Sequence, residues 1–237
     1  MPEITVGFWI IKVLTTAMGE STSDFFVHRF SPVPVVLAGG VVFVLALYAQ
    51  LRSPRYLVVT YWSTVVMVSV FGTMCADVLH VAIGVPYVVS SLCFALALIV
   101  IFVTWQRVES TLSIHSITST RRELFYWATV TATFALGTAA GDMSAYTLHF
   151  GFFRSGLLFC ALIALPMIYF AFTRSNAVLT FWTAYVLTRP VGASFADWAG
   201  VSHQRGGLDW GPGNVAMALS IFIVLGVAIM AHREQRH

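Results

Sequence analysis

The chain has 237 residues, of which 58% are hydrophobic and only 10% charged, with a formal net charge of +3 and a mean hydropathy of +0.83. A soluble domain carries roughly 25% charged residues, so a water-soluble globular enzyme is excluded. The small basic balance leaves no footprint for nucleic acid. What remains is an all-α integral membrane protein, whose apolar surface is shared between helix packing and lipid.

A bilayer core takes about 20 mostly apolar residues per helix. Eight segments meet that length, and spans are expected at 4–24, 33–51, 57–79, 86–106, 122–146, 150–173, 177–199 and 212–232. The first begins in MPEITVGFWIIK, which lacks a basic n-region and a small-residue cleavage site, and is read as a retained helix. Short connections predict antiparallel neighbours in succession. The exception is 107–121, a polar linker, in which Thr120-x-x-Glu123 reads as a capping box opening the fifth helix. Cys75, Cys93 and Cys160 are isolated in apolar stretches and are expected to be buried free thiols.

Basic residues set the orientation. Arg52, Arg55, Arg107, Arg121, Arg122, Arg174, Arg233 and Arg236 fall on one side, and Arg29, Arg154 and Arg205 on the other. Eight against three places both termini and the 107–121 linker in the cytoplasm.

The first, third, fifth and seventh segments share one pattern: an aromatic residue, Trp, Gly ten positions on, and Asp five further. The copies are Phe8-Trp9…Gly19…Asp24, Tyr61-Trp62…Gly72…Asp77, Tyr126-Trp127…Gly137…Asp142 and Phe181-Trp182…Gly192…Asp197. Each is followed by a plain apolar segment. The chain therefore reads as one transmembrane domain over 1–237, with repeats 1–56, 57–106, 122–175 and 176–237. A two-span unit keeps its orientation on duplication, so the repeats are parallel and pseudo-fourfold. Trp9, Trp62, Trp127 and Trp182, with their Gly and Asp companions, resemble a bacterial multi-pass membrane family of four tandem two-helix repeats, each marked by a tryptophan. The resemblance covers nearly the whole chain and implies this architecture in a bacterial inner (cytoplasmic) membrane. The family's function is unknown, so it implies no activity.

Counting from each Trp, positions three, seven, eleven and fifteen share one helix face. The stripes are Lys12, Thr16, Glu20, Asp24; then Val65, Ser69, Thr73, Asp77; then Val130, Phe134, Thr138, Asp142; then Tyr185, Arg189, Ala193, Asp197. A charge deep in a membrane helix costs at least ~2.5–3.5 kcal/mol and faces a bundle interior or wet cavity. The motif helices are therefore expected to form an inner ring and the plain helices a lipid-facing layer. Gly19, Gly72, Gly137 and Gly192 lie about 80° from the stripe and suit close helix approach. The tryptophans suit either a membrane-interface belt or a ring lining the site. Fifteen residues span ~22 Å, which puts the aspartates in the outer third of the membrane. Lys12 and Arg189 then lie in the inner half or near its middle.

Lys12 and Arg189 against Glu20 and four Asp leave three negative charges in excess. Four carboxylates at one level repel, which favours a bound cation or shared protons. Asp24, Asp77, Asp142, Asp197 and Glu20 are thus the candidate cation-binding residues. Thr16, Ser69, Thr73 and Thr138 are the candidate path-lining hydroxyls. Lys12 and Arg189 are candidates for charge pairing or gating, since Pro190 is expected to break or kink the seventh helix beside Arg189. Asp77 and His80, at i and i+3, are a candidate metal pair; His28, His149 and His203 read as surface or capping groups. There is no HExxH, CxxC, phosphate-binding glycine loop or GxSxG, so no catalytic residue is assigned and no cofactor is expected beyond a bound cation. The reading favoured is a transporter of a hard divalent metal or of a proton-coupled cation, with the lipid bilayer as partner. The alternatives are a structural or sensor protein whose polar ring specifies helix assembly, and a membrane enzyme using the first-repeat carboxylates.

Overall fold

The computed structural model describes residues 2–53, 55–81, 83–174 and 176–234; Arg236, counted above for orientation, lies outside them. Among the described residues there are no strands and eight long α-helices. They are α1 (Val6–Arg29), α2 (Pro32–Arg52), α3 (Val58–Val81), α4 (Tyr87–Glu109), α5 (Thr120–Asp142), α6 (Gly151–Thr173), α7 (Ala177–Gly200) and α8 (Pro212–Glu234). Five of them, α2, α3, α4, α6 and α8, are long and apolar enough to cross a membrane. Helices α1, α5 and α7 match them in length but carry the polar stripe, which lowers their hydropathy.

Helix ends follow local chemistry. Thr5 and Asn176 accept backbone N–H bonds at the starts of α1 and α7, while Pro32 and Pro212 occupy first positions, where no N–H is needed. The cap of α5 corrects the sequence reading. Ser119, not Thr120, accepts from the Arg122 N–H. Glu123 instead accepts from Gln50 Nε2 at 2.9 Å and Trp127 Nε1 at 3.3 Å, so it holds side chains in place of the cap.

Helices α1, α3, α5 and α7 contact one another in a closed order, α1 to α3 to α5 to α7 and back to α1. The other four lie outside: between 6% and 22% of the apolar windows of α2, α4, α6 and α8 is buried, against 61% for α3. Successive helices touch within each repeat, as expected, but pack far more extensively across repeat boundaries. α2 packs chiefly on α3, α4 on α5, α6 on α7, and α8 on α1. These pairs are antiparallel: the Thr64 hydroxyl reaches the Ala46 carbonyl, Trp105 stacks on Phe125, and Phe153 meets Trp198. Outward-facing helices explain two of the thiols, Cys93 on α4 and Cys160 on α6, while Cys75 lies on the inner helix α3. Cys93 is exposed and Cys75 and Cys160 half-buried, so the expectation of buried cysteines is corrected; all three are free.

Two rings of contact close the inner bundle. In the first, each aromatic residue preceding a tryptophan packs on the tryptophan of the next inner helix. Phe8 meets Trp62 at 5.6 Å, Tyr61 meets Trp127 at 5.7 Å, Tyr126 meets Trp182 at 6.1 Å and Phe181 meets Trp9 at 5.7 Å. Such pairs add about 0.5–1.5 kcal/mol each beyond area burial. Trp62, Trp127 and Trp182 are fully or almost fully buried and Trp9 half-buried, so the four tryptophans form a ring of contacts within the bundle. In the second, each repeated glycine receives the seventh-position side chain of the next helix. A Cβ on Gly19 would collide with Ser69, on Gly72 with Phe134, on Gly137 with Arg189 and on Gly192 with Thr16.

The 107–121 linker folds over the tryptophan end. Glu109 pairs with Arg121 and with Arg122 Nε, the latter at 2.7 Å. Arg122 also donates to the Ser116 carbonyl at 2.7 Å, and Trp182 Nε1 to the Leu112 carbonyl at 2.9 Å, while Ile114 is buried. Glu109→Gln is expected to speed proteolytic cleavage within 110–119 several-fold without loss of helix content, since cleavage tracks local opening. Limited proteolysis followed by mass spectrometry reads this; an unchanged cleavage rate rejects the clamp.

Candidate functional site

The four stripes converge. Their residues are buried at every level, except that Asp24 and Asp142 are half-buried. Lys12, Val65, Val130 and Tyr185 form the first level, Thr16, Ser69, Phe134 and Arg189 the second, Glu20, Thr73, Thr138 and Ala193 the third, and the aspartates the fourth.

Arg189 organises the middle. Its guanidinium, wholly buried, donates to Glu20 Oε2, Thr73 Oγ1, Thr138 Oγ1 and the Thr16 carbonyl. One side chain of α7 thereby bonds to α1, α3 and α5, and the small Ala193 leaves room for it at the third level. The expected break at Pro190 is corrected: α7 runs continuously from Ala177 to Gly200. Pro190 packs instead against Gly137 and Gly141, where missing side chains admit its ring. Of the charge pairing expected among Lys12, Glu20 and Arg189, only Arg189 with Glu20 forms. Lys12 lies over the Phe134 and Tyr185 rings, at 4.0 and 4.1 Å from their centroids.

Beyond this plug lies a cavity of about 360 Å³ lined by Glu20, Asp24, Asp77, Asp142 and Asp197. Its rim residues His28, Tyr146 and Arg205 are exposed. One carboxylate oxygen each from Glu20, Asp24 and Asp197 lie within 4.8 Å of one another, a spacing that can hold a metal ion. Asp77 accepts from the buried Ser23 hydroxyl of α1. The expected Asp77–His80 metal pair is corrected. His80 lines the cavity, but its Nδ1 lies 2.9 Å from the Val85 carbonyl, its Nε2 lies 3.3 Å from Ser90 Oγ, and its ring rests on Tyr87. The hydroxyl path is corrected too. Thr16, Ser69, Thr73 and Thr138 bond to backbone carbonyls or to Arg189 below the cavity rather than lining it.

No repeated sequence pattern marks the far wall. Tyr87 stacks on Tyr146 at 5.7 Å and Phe152 meets Tyr146 edge-on at 5.2 Å. Tyr146 lies in a π-helical turn, Met143–Thr147, directly after Asp142; such turns concentrate at functional sites. Arg205 hydrogen-bonds the Tyr146 hydroxyl and lies over both the Tyr146 and Phe152 rings. Residues 201–211 fold back so that Leu208, Trp210 and Gly211 N–H groups satisfy the carbonyls of Trp198, Ala199 and Gly200 at the α7 terminus. That fold-back fixes Arg205 at the mouth. The other outer histidines, His28, His149 and His203, are exposed.

Four segments, 7–56, 60–111, 125–176 and 180–236, match a family described as Repeat of Unknown Function (DUF347). The chain belongs to this family. Each DUF347 match takes in one motif helix and the plain helix after it. No curated protein and no solved structure matches the chain. The four DUF347 units thus each contribute one aspartate to the cavity, while only the first supplies Lys12 and Glu20 and only the last supplies Arg189.

Proposed function

We propose that the four repeats form an eight-span, pseudo-fourfold bundle with both termini and the 107–121 linker on the cytoplasmic face of a bacterial inner membrane. Its carboxylate cavity is a vestibule for a small cation in transit. The observation that carries this reading is the gathering of Asp24, Asp77, Asp142 and Asp197, one from each repeat, with Glu20 of the first, around one cavity. Convergent acidic rings select cations, and a site this acidic draws in a counter-charge. Arg52, Arg107, Arg121, Arg122 and Arg174 near helix ends on the tryptophan side support the orientation.

The inner half is shut by the Arg189–Glu20 plug and the aromatic ring. A cation therefore enters from the aspartate side, exchanges with the guanidinium for Glu20, and leaves only when the inner helices part. This is a carrier cycle rather than an open pore. In proteoliposomes, uptake of manganese(II), magnesium or sodium is expected to fall at least tenfold in Asp197→Asn and Asp24→Asn, and several-fold in Asp142→Asn. Flux that is the same in all single Asn variants would reject the vestibule as the route.

The multiply bonded Arg189 favours a second reading, in which the polar centre only specifies assembly. That reading expects the Asn variants to shift thermal stability in detergent with no flux to lose.

A further inference from the structure

We infer that the counter-ion of this vestibule is a proton carried on Lys12 Nζ; the inference rests on the cation reading above. Lys12 is 1% exposed and its Nζ has no hydrogen-bond partner. Among the described residues it forms no ion pair. A buried polar group of this kind calls for a specific explanation.

The surroundings supply one. Lys12 Nζ rests on the Phe134 ring of α5 and the Tyr185 ring of α7, and the cationic Arg189 of α7 acts on it. The repeat places Val65 of α3 at the same level and Thr16 and Glu20 of α1 one and two levels further on, and the Tyr61–Tyr126 pair joins α3 to α5. Helix α8, packed behind α1, brings no ionisable group to this level. The stripe's next carboxylate, Glu20, lies two levels away and is taken by Arg189. Arg189 and Lys12 also share the Phe134 ring, with Cζ at 5.4 Å and Nζ at 4.0 Å from its centroid.

Glu20 therefore balances only one positive charge for the two groups. A cation arriving at Glu20 releases Arg189, which then lies between the Asp142 carboxylate on the cavity side and the Lys12 ammonium across the shared Phe134 ring. Repulsion between like charges in a low-dielectric centre is relieved if Lys12 loses its proton. One N–H bond of the ammonium breaks, the nitrogen keeps the electron pair, and the proton passes to a water molecule that follows the cation from the cavity into the space the guanidinium leaves. The linkage is reciprocal: reprotonated Lys12 drives Arg189 back onto Glu20 and expels the cation. The result is exchange of a cation against a proton.

Calorimetric titration of the full chain in detergent with manganese(II), repeated in buffers of different ionisation enthalpy, counts the protons released on binding. Carboxylates release protons as well, so the comparison with variants is decisive. Lys12→Met is expected to bind manganese(II) and release about one proton fewer than the wild type, as metal binding reports the groups it deprotonates. Its affinity is expected to rise on the order of tenfold with the competing charge gone. Lys12→Gln is a second neutral variant of different shape, with the same expectation. Lys12→Arg, permanently charged, is expected to bind more weakly and also to release fewer protons. A proton count unchanged in both neutral variants overturns the inference and leaves the cation reading standing. Wild-type protein that binds neither manganese(II), magnesium nor sodium overturns both.

Discussion

Arg189→Met is expected to lower the stability of the folded bundle by about 3–5 kcal/mol, the cost of removing one partner of a buried ion pair. The size of the effect comes from what is left behind. Glu20 is 2% exposed, and without the guanidinium it keeps only the Thr138 hydroxyl, at 3.5 Å. Thr73 and Thr138, both fully buried, also lose the N–H they accept. An orphaned buried carboxylate is the costly element, so Glu20→Gln combined with Arg189→Met is expected to recover more than half of the loss. Thermal unfolding of the single and double variants in detergent forms the cycle. Additive losses would show that the two side chains do not act on each other across α1 and α7. The same cycle bears on the proposed cation route, because the double variant lacks the plug while keeping all four aspartates. Its cation uptake is expected to become independent of a proton gradient.

Much of this architecture is written in the spacing of a few residues. A Trp, a Gly and an Asp at fixed intervals gave the inner helices, and a step of four gave the face on which Lys12, Glu20 and Arg189 lie. Burial of charge in an apolar chain then dictated which way that face turns. The contacts between repeats were harder to read. Phe8, Tyr61, Tyr126 and Phe181 stand in the repeated pattern, yet nothing along one helix says that each packs on the tryptophan of the next. Likewise Gly192 and Thr16 are separated by nearly the whole chain, and only ring closure brings them together. The cavity's aromatic wall was invisible for another reason. Tyr87 begins α4, Tyr146 lies in a π turn and Arg205 in a loop, so no shared period links them. The sequence signal for these contacts is the aromatic residue before every tryptophan. Four repeats of a bulky pair on one turn already suggest a partner outside that turn.

Ring closure also yields the second large effect. Gly192→Val is expected to destabilise the protein by at least about 3 kcal/mol, the upper part of the range for overpacking a dense core. A Cβ at Gly192 falls on the Thr16 side chain and within 2.9 Å of the Ala17 backbone nitrogen. The side chain can turn away, but the backbone of α1 cannot move without opening the contact with α3 that Ser69 makes through the Thr15 carbonyl. Gly192→Ala is therefore already expected to be harmful, and Thr16→Gly in the same chain is expected to restore part of the loss. Gly7→Ala is the control. Its added Cβ meets nothing nearer than 3.6 Å, so a helix-propensity gain of up to about 1 kcal/mol is left unopposed. Thermal unfolding and the monodisperse fraction on gel filtration separate the two sites. If Gly192→Ala melts with Gly7→Ala, the closing contact between the last and first repeats is not what holds the inner ring, and the seventh-position side chains lose their role as its pegs.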